Sequence, residues 1–181
     1  MKMGSKIGKG EEKILQILDA VVTHKSAKAR IDSIVLRVER KLSHDFEASL
    51  AWEPVPLPIY RNRLPKAICS SWVFVLRAQA NTGSERHPNS HQRMMSYRGE
   101  GDLQLRIGPE WCSHRLTSAS ESPIDRRWIF IPPGIWHRAV VPKNNWVVVS
   151  FHTVPAEELI EERPDPTDAG LTLRRRYLQE K

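Results

Sequence analysis

The side chains best equipped for chemistry are histidines in two short clusters. The first runs Glu85-Arg86-His87-Pro88-Asn89-Ser90-His91-Gln92, and the second Ile131-Pro132-Pro133-Gly134-Ile135-Trp136-His137. Imidazole titrates near neutrality and is a common ligand for transition metals. Each cluster sits beside a strand-like run and next to tight-turn residues. His87 and His137 are 50 positions apart, so only a fold that joins distant strands can bring them together. A small β-barrel does so, because side chains of neighbouring strands project into its mouth, where a metal or ligand can sit. His152 shares strand parity with Trp146 and lines the same cup if that face is interior. Of the seven histidines, His24, His44 and His114 are expected to have no role in a site.

The elements that must position these residues begin with a helical pair. Ile14, Leu15, Ile17, Leu18, Val21 and Val22 fall on one helix face, with Glu11 and Glu12 in the first turn, where the helix dipole favours negative charge. Ile31, Ile34, Val35, Val38 and Leu42 repeat the pattern. Helices are expected over about 11–26 and 31–49, each boundary being good to ~2–4 residues. Their stripes must bury on the main domain or in a dimer interface. The Gly- and Lys-rich residues 1–10 read as a flexible start. The alternate prolines Pro54, Pro56 and Pro58 forbid a helix and mark a boundary near residue 50.

Beyond it the period becomes two. Trp72, Phe74 and Leu76 alternate with Val73, Val75 and Arg77; Leu103, Leu105 and Ile107 with Gln104 and Arg106; Trp128 and Phe130 with Ile129 and Ile131. Trp146 to His152 reads as a last strong strand after the turn Lys143-Asn144-Asn145. Trp111-Cys112-Ser113-His114 reads as a loop, and Pro155-Ala156-Glu157-Glu158-Leu159 as the start of a short helix. Short strands with Gly, Pro and Asn punctuation predict an antiparallel sandwich or barrel.

At this point the sequence resembles the cupin family. Its first motif runs H-x-H, three or four residues, E, six residues, G; this chain has Glu85-x-His87, Pro88–His91, Gln92, six residues and Gly99. Its second motif contains P-x-G-x-x-H, matched by Pro132-Pro133-Gly134-Ile135-Trp136-His137. The turn Gly99-Glu100-Gly101 is also cupin-like. The resemblance covers roughly residues 65–155. It departs from the metal-binding pattern at Glu85, which replaces a histidine, at Gln92, which replaces the glutamate, and at Arg126, where a glycine precedes the second motif.

The resemblance implies an all-β fold: a cupin-type, jelly-roll-like antiparallel barrel at 51–156, an N-terminal helical extension at 1–50, and a short C-terminal helix and tail at 157–181. Three chemistries follow for its cup. Glu85, His87 and His137 form a two-histidine, one-carboxylate face with Gln92 as a weak fourth ligand, suited to a divalent metal such as Fe, Mn or Ni. Alternatively His91 swings in and a three-histidine face takes Zn or Fe, which needs a loop, since adjacent residues on a strand face opposite ways. In the third the metal is lost and the cup holds an organic anion through Arg and His.

Residues 51–156 carry 13 basic and 7 acidic side chains, and 11 of the basic ones are arginine, a residue suited to gripping carboxylates. A small anionic ligand is therefore expected. Arg93, Arg106, Arg138, Trp136 and His152 are the candidates to bind it. The family implies a dioxygenase, isomerase or decarboxylase, or a non-catalytic sensing module, and a homodimer. Nucleic acid is a weak expectation, because the net charge of +7 and the Arg174–Arg176 run come without interleaved aromatics. Two cysteines, Cys69 and Cys112, make no disulfide framework or CxxC pair, and no secretory signal pattern stands at the start. A cytoplasmic protein that does not enter a membrane is the expectation.

Overall fold

The computed structural model describes residues 8–168 and 170–178. Most of the expected flexible start, residues 1–7, lies outside them. Helix α1 (Lys9–Thr23) and helix α2 (Lys25–His44) are separated by His24 alone. The second helix begins earlier than expected because the polar stretch Lys25–Arg30 is made of good helix formers and buries Ala27. Every stripe residue of α2 is buried, as are Leu15, Leu18, Val21 and Val22 of α1, while Ile17 stays exposed.

The strands are β1 (Leu50–Pro54), β2 (Ser70–Leu76), β3 (Gln92–Arg98), β4 (Glu100–Ile107), β5 (Glu110–Thr117), β6 (Trp128–Ile131), β7 (His137–Val140), β8 (Trp146–His152), β9 (Ile160–Pro164) and β10 (Thr172–Arg176). One turn of helix, α3 (Ile124–Arg127), leads into β6. The five-stranded sheet has the order β1-β2-β8-β3-β6, the facing sheet the order β5-β4-β7, and β9 and β10 form a hairpin. All pairings are antiparallel. The fold is an antiparallel jelly-roll barrel with a helical pair on one outer face.

Strand parity divides the apolar residues of the large sheet between two faces. Phe74, Leu76, Met94, Trp146 and Val148 join Leu103, Leu105, Leu116, Ile129, Ile131, Ala139 and Val141 inside the barrel. Val73, Val75, Met95, Val147, Val149 and Phe151 face outward, onto α1 and α2. Both faces are therefore covered, and β2 and β8 carry the consecutive apolar runs Trp72–Leu76 and Trp146–Val149. Each fully buried Leu, Ile or Val contributes about 1.5–3 kcal/mol, so the helices are held chiefly by this packing. The Arg77 guanidinium adds hydrogen bonds to the carbonyls of Leu42, Asp45 and Ala48 at the end of α2, where the helix dipole favours a cation.

A smaller contact ties α2 to β1. Glu53, 14% exposed, meets Arg37 at 2.9 Å and Lys41 at 2.7 Å. Burial pushes its carboxyl up, but hydrogen bonds from Lys41 and Arg37 outweigh that and hold it below the usual range. A carboxyl whose folded pKa is depressed stabilises above its unfolded pKa and loses that contribution as pH falls through the folded value. Both cations are half exposed, so the net effect is at most about 1 kcal/mol. Glu53→Gln should cost about that much in urea unfolding at pH 7 and nothing at pH 2. An equal deficit at both pH values would refute the linkage.

Two sequence expectations take a different form. Trp111–His114 is part of β5, an edge strand in which only Leu116 is buried, so no apolar alternation betrays it. The helix expected from Pro155 is a single 3-10 turn, Ala156–Glu158, and the tail continues as the β9–β10 hairpin. No helix among the described residues is long and apolar enough to cross a membrane.

Candidate metal centre

Three donors converge at one end of the barrel interior. Glu85 and His137 exchange both backbone hydrogen bonds, 2.9 Å from Glu85 N and 2.8 Å from His137 N. Residues paired this way stand directly opposite with side chains on one face. His87 lies two positions beyond Glu85 in the same extended segment, so it shares that face. The Pro132-Pro133-Gly134 turn delivers His137, with Gly134 at φ +76°, where a side chain is strained, and its N–H bonded to the His87 carbonyl at 3.0 Å. One ligand atom from each of Glu85, His87 and His137 lies within 4.8 Å of the others.

Both imidazoles are oriented from behind. His87 Nδ1 donates to the Ile160 carbonyl at 2.9 Å and His137 Nδ1 to the Ile135 carbonyl at 3.0 Å. A carbonyl only accepts, so each Nδ1 carries the hydrogen and each Nε2 is the ligating nitrogen, the arrangement metal-bound histidines adopt. His137 Nε2 is buried, has no hydrogen-bond partner and faces Glu85 Oε1 at 3.5 Å. Burial pushes His87 down to about 4, so its ring is neutral and ready to ligate at physiological pH. Burial would raise Glu85, but the His137 imidazole facing it and the Arg163 guanidinium outweigh burial and hold its carboxyl well below the usual carboxylate range.

Around the triad, His152 is interior, 5.0 Å from the His87 ring. Its Nδ1 meets Ser90 Oγ and its Nε2 meets Ser150 Oγ, both at 3.2 Å. It is a wall residue with both nitrogens engaged. Burial, then the neighbouring histidines, push it far down. Gln92 is also interior, opposite His152 in the sheet. Its Nε2 donates to Ser150 Oγ at 3.0 Å and its Oε1 is buried without a partner.

The remaining expected site residues lie elsewhere. His91 is exposed and stacks on Phe130 at 5.7 Å, so the three-histidine face does not form. Arg93 points outward, pairs with Glu11 of α1 at 2.5 Å and lies over Phe130. Arg106 is exposed. Arg138 bonds Gln104 at 2.7 Å and covers Trp111 on the outer face. Trp136 lies under Arg86, 4.5 Å from its ring. Each of these arginines neighbours an inward residue on its strand, and strand alternation turns it away.

The arginine that does reach the site is Arg163, on β9. Its Nη2 meets Glu85 Oε2 at 2.5 Å and Glu161 Oε1 at 2.8 Å. Glu161 is fully buried and also meets Arg175 at 2.5 Å; burial and the nearby Glu85 carboxylate push it up. Tyr177 follows β10, its ring 5.1 Å from Trp52, 5.3 Å from Trp72 and 6.2 Å from His87. A cavity of about 170 Å³ lies against Trp52, Thr82, Glu161, Arg163, Arg175 and Tyr177. The tail's mixed charges gave no apolar period to flag these residues. Two larger open grooves lie around Gly99–Asp102, at the Trp146 end of β8, away from the triad.

No family model and no curated protein matches the chain. Solved structures similar to it include oxalate oxidase in complex with glycolate, at 14% identity and TM-score 0.45, covering 59% of this chain and 52% of that one. Pumpkin seed globulin matches at 16% and 0.49, covering 65% and 28%. The capsular polysaccharide assembling protein CapF from Staphylococcus aureus matches at 11% and 0.46, covering 71% and 32%. The chain spans about half the length of these proteins or less. The antiparallel jelly-roll barrel thus brings together, at one end of its interior, the Glu85-x-His87 and Pro132-x-Gly134-x-x-His137 segments that resemble the two cupin motifs.

Proposed function

We propose that this chain is a metal-binding cupin-type protein that takes a small anionic organic ligand. Glu85, His87 and His137 hold a divalent ion, Fe, Mn, Ni or Zn. The observation that carries this reading is the orphaned His137 Nε2. It is buried, its tautomer is fixed by the Ile135 carbonyl, and it faces a carboxylate oxygen. Two acceptors facing each other in a dry site are costly. A cation between them removes that cost and engages His87 as well. Two imidazoles and one carboxylate leave open positions and suit first-row divalent metals. When bound, such an ion would polarise a carbonyl or activate O2. The protein's own contribution is to hold the donors and to keep water off them with Trp52, Trp72 and Tyr177. The cavity beside Arg163 is below the ~300–1,000 Å³ of drug-sized ligand sites, which favours a small ligand.

A second reading is a metal-free ligand-binding module, favoured by the amide at Gln92 and by Arg163 already pairing with Glu85. The experiment is metal analysis of protein purified without a polyhistidine tag, together with thermal unfolding in added Fe, Mn, Ni or Zn. Near-stoichiometric metal and a raised Tm are expected. Negligible metal, with no shift from any of the four ions, would overturn the metal reading in favour of the second.

A further inference from the structure

Two of the three donors are oriented by the same distant element. Strand β9 supplies the Ile160 carbonyl that fixes His87 and the Arg163 guanidinium that holds Glu85 Oε2, leaving Oε1 toward His137. The contact is built on both sides. Arg86 and Glu162 exchange backbone hydrogen bonds of 3.0 and 2.9 Å, and their side chains pair at 2.7 Å. Asn89 donates to the Glu158 carbonyl at 2.8 Å and accepts from Ile160 N at 3.1 Å. Arg163 is itself pinned, since its Nε meets Glu161 Oε1 at 2.9 Å and its Nη1 meets the Thr82 carbonyl at 3.1 Å.

We infer that the C-terminal hairpin is part of the metal centre, with Arg163 as the positioning residue for Glu85, so that metal occupancy and hairpin order are linked. The inference rests on the metal reading above. A guanidinium beside a metal ligand also repels a divalent cation, so two effects compete. Here Arg163 and Arg175 face Glu85 and Glu161, and the four charges cancel. The net repulsion is therefore small, and the orientation of Glu85 decides the sign. Groups that hydrogen-bond metal ligands from behind typically change affinity about 10–100-fold when removed. Linkage is reciprocal, so a metal that prefers the docked hairpin must also stabilise it.

The test measures Mn(II), Ni(II) and Zn(II) affinity by calorimetry for the full chain and its variants. Arg163→Ala should bind at least about 10-fold more weakly. Arg163→Lys, which keeps charge but loses the fork, should fall between it and wild type. Arg174→Ala, on the exposed β10 and 3.8 Å from Glu162, should bind as wild type. In the wild-type chain, metal should slow amide hydrogen exchange at residues 160–163 and 172–176. Wild-type or tighter binding by Arg163→Ala, or metal leaving hairpin exchange unchanged or faster, overturns the positioning role and leaves the metal reading standing. A wild-type chain that binds none of the three ions removes both.

Discussion

Replacing His137 by alanine removes the stabilisation a divalent ion gives the wild-type chain, whereas replacing His91 leaves it intact. A ligand that binds only the folded state, present at 100 times its dissociation constant, stabilises by about 2.7 kcal/mol. In a domain of this size 1 kcal/mol moves Tm by roughly 2–4 °C, so the wild-type shift should be roughly 5–11 °C. His137 is 3% exposed and contributes the buried, unpartnered Nε2. Its loss leaves one imidazole and one carboxylate, too few donors to compete with water, and the shift should fall within the error of the measurement. His91 is exposed and stacked on Phe130, so His91→Ala should retain the full shift. The metal-free variants must be compared by the change on adding metal, because His137→Ala also deprives the Ile135 carbonyl of its donor. A full metal-induced shift in His137→Ala would exclude the triad. Loss of the shift in His91→Ala would revive the three-histidine face.

The triad was legible because it obeys strand arithmetic. Glu85-x-His87 puts two donors on one face, and the proline–glycine turn before His137 is local chemistry that a sequence displays. The large sheet was legible for a related reason: β2 and β8 bury both faces, so apolar residues stand side by side over Trp72–Leu76 and Trp146–Val149. Strands β5 and β10 were not, because strands that bury little carry no apolar signal, and β9 was not, because what it buries is Glu161 and Glu162. The expected ligand arginines failed on a point the sequence contained. The parity argument that turns His91 away from Gln92 applies equally to Arg93 beside Gln92 and to Arg138 beside His137. Arg163 could not be found that way. Its pairing with Glu85 spans 78 positions and depends on a hairpin whose docking uses ion pairs rather than a hydrophobic stripe.

The other large effect belongs to the far end of the barrel and tests the fold itself. Gly101, the second residue of β4, lies against Trp146, and an added Cβ would be 2.1 Å from that indole. Trp146 is fully buried and its Nε1 donates to Ser96 Oγ at 2.8 Å. The indole cannot retreat, because Met94, Leu103, Ile129 and Val148 pack in the same core. Gly101→Ala should therefore cost about 1–3 kcal/mol or more, the usual penalty for overpacking. Trp146→Ala should cost about 3–5 kcal/mol through lost burial and the cavity left behind. The informative variant is the double one. With the indole gone, the alanine at 101 has room, and adding Gly101→Ala to Trp146→Ala should cost less than about 0.5 kcal/mol. The two changes are then non-additive by about 0.5–2.5 kcal/mol or more, as expected for residues in direct contact. Urea unfolding of the four proteins measures this. Strict additivity would mean that Gly101 is required by its backbone and not by the indole, and the close approach of β4 to β8 would lose its role in closing the barrel.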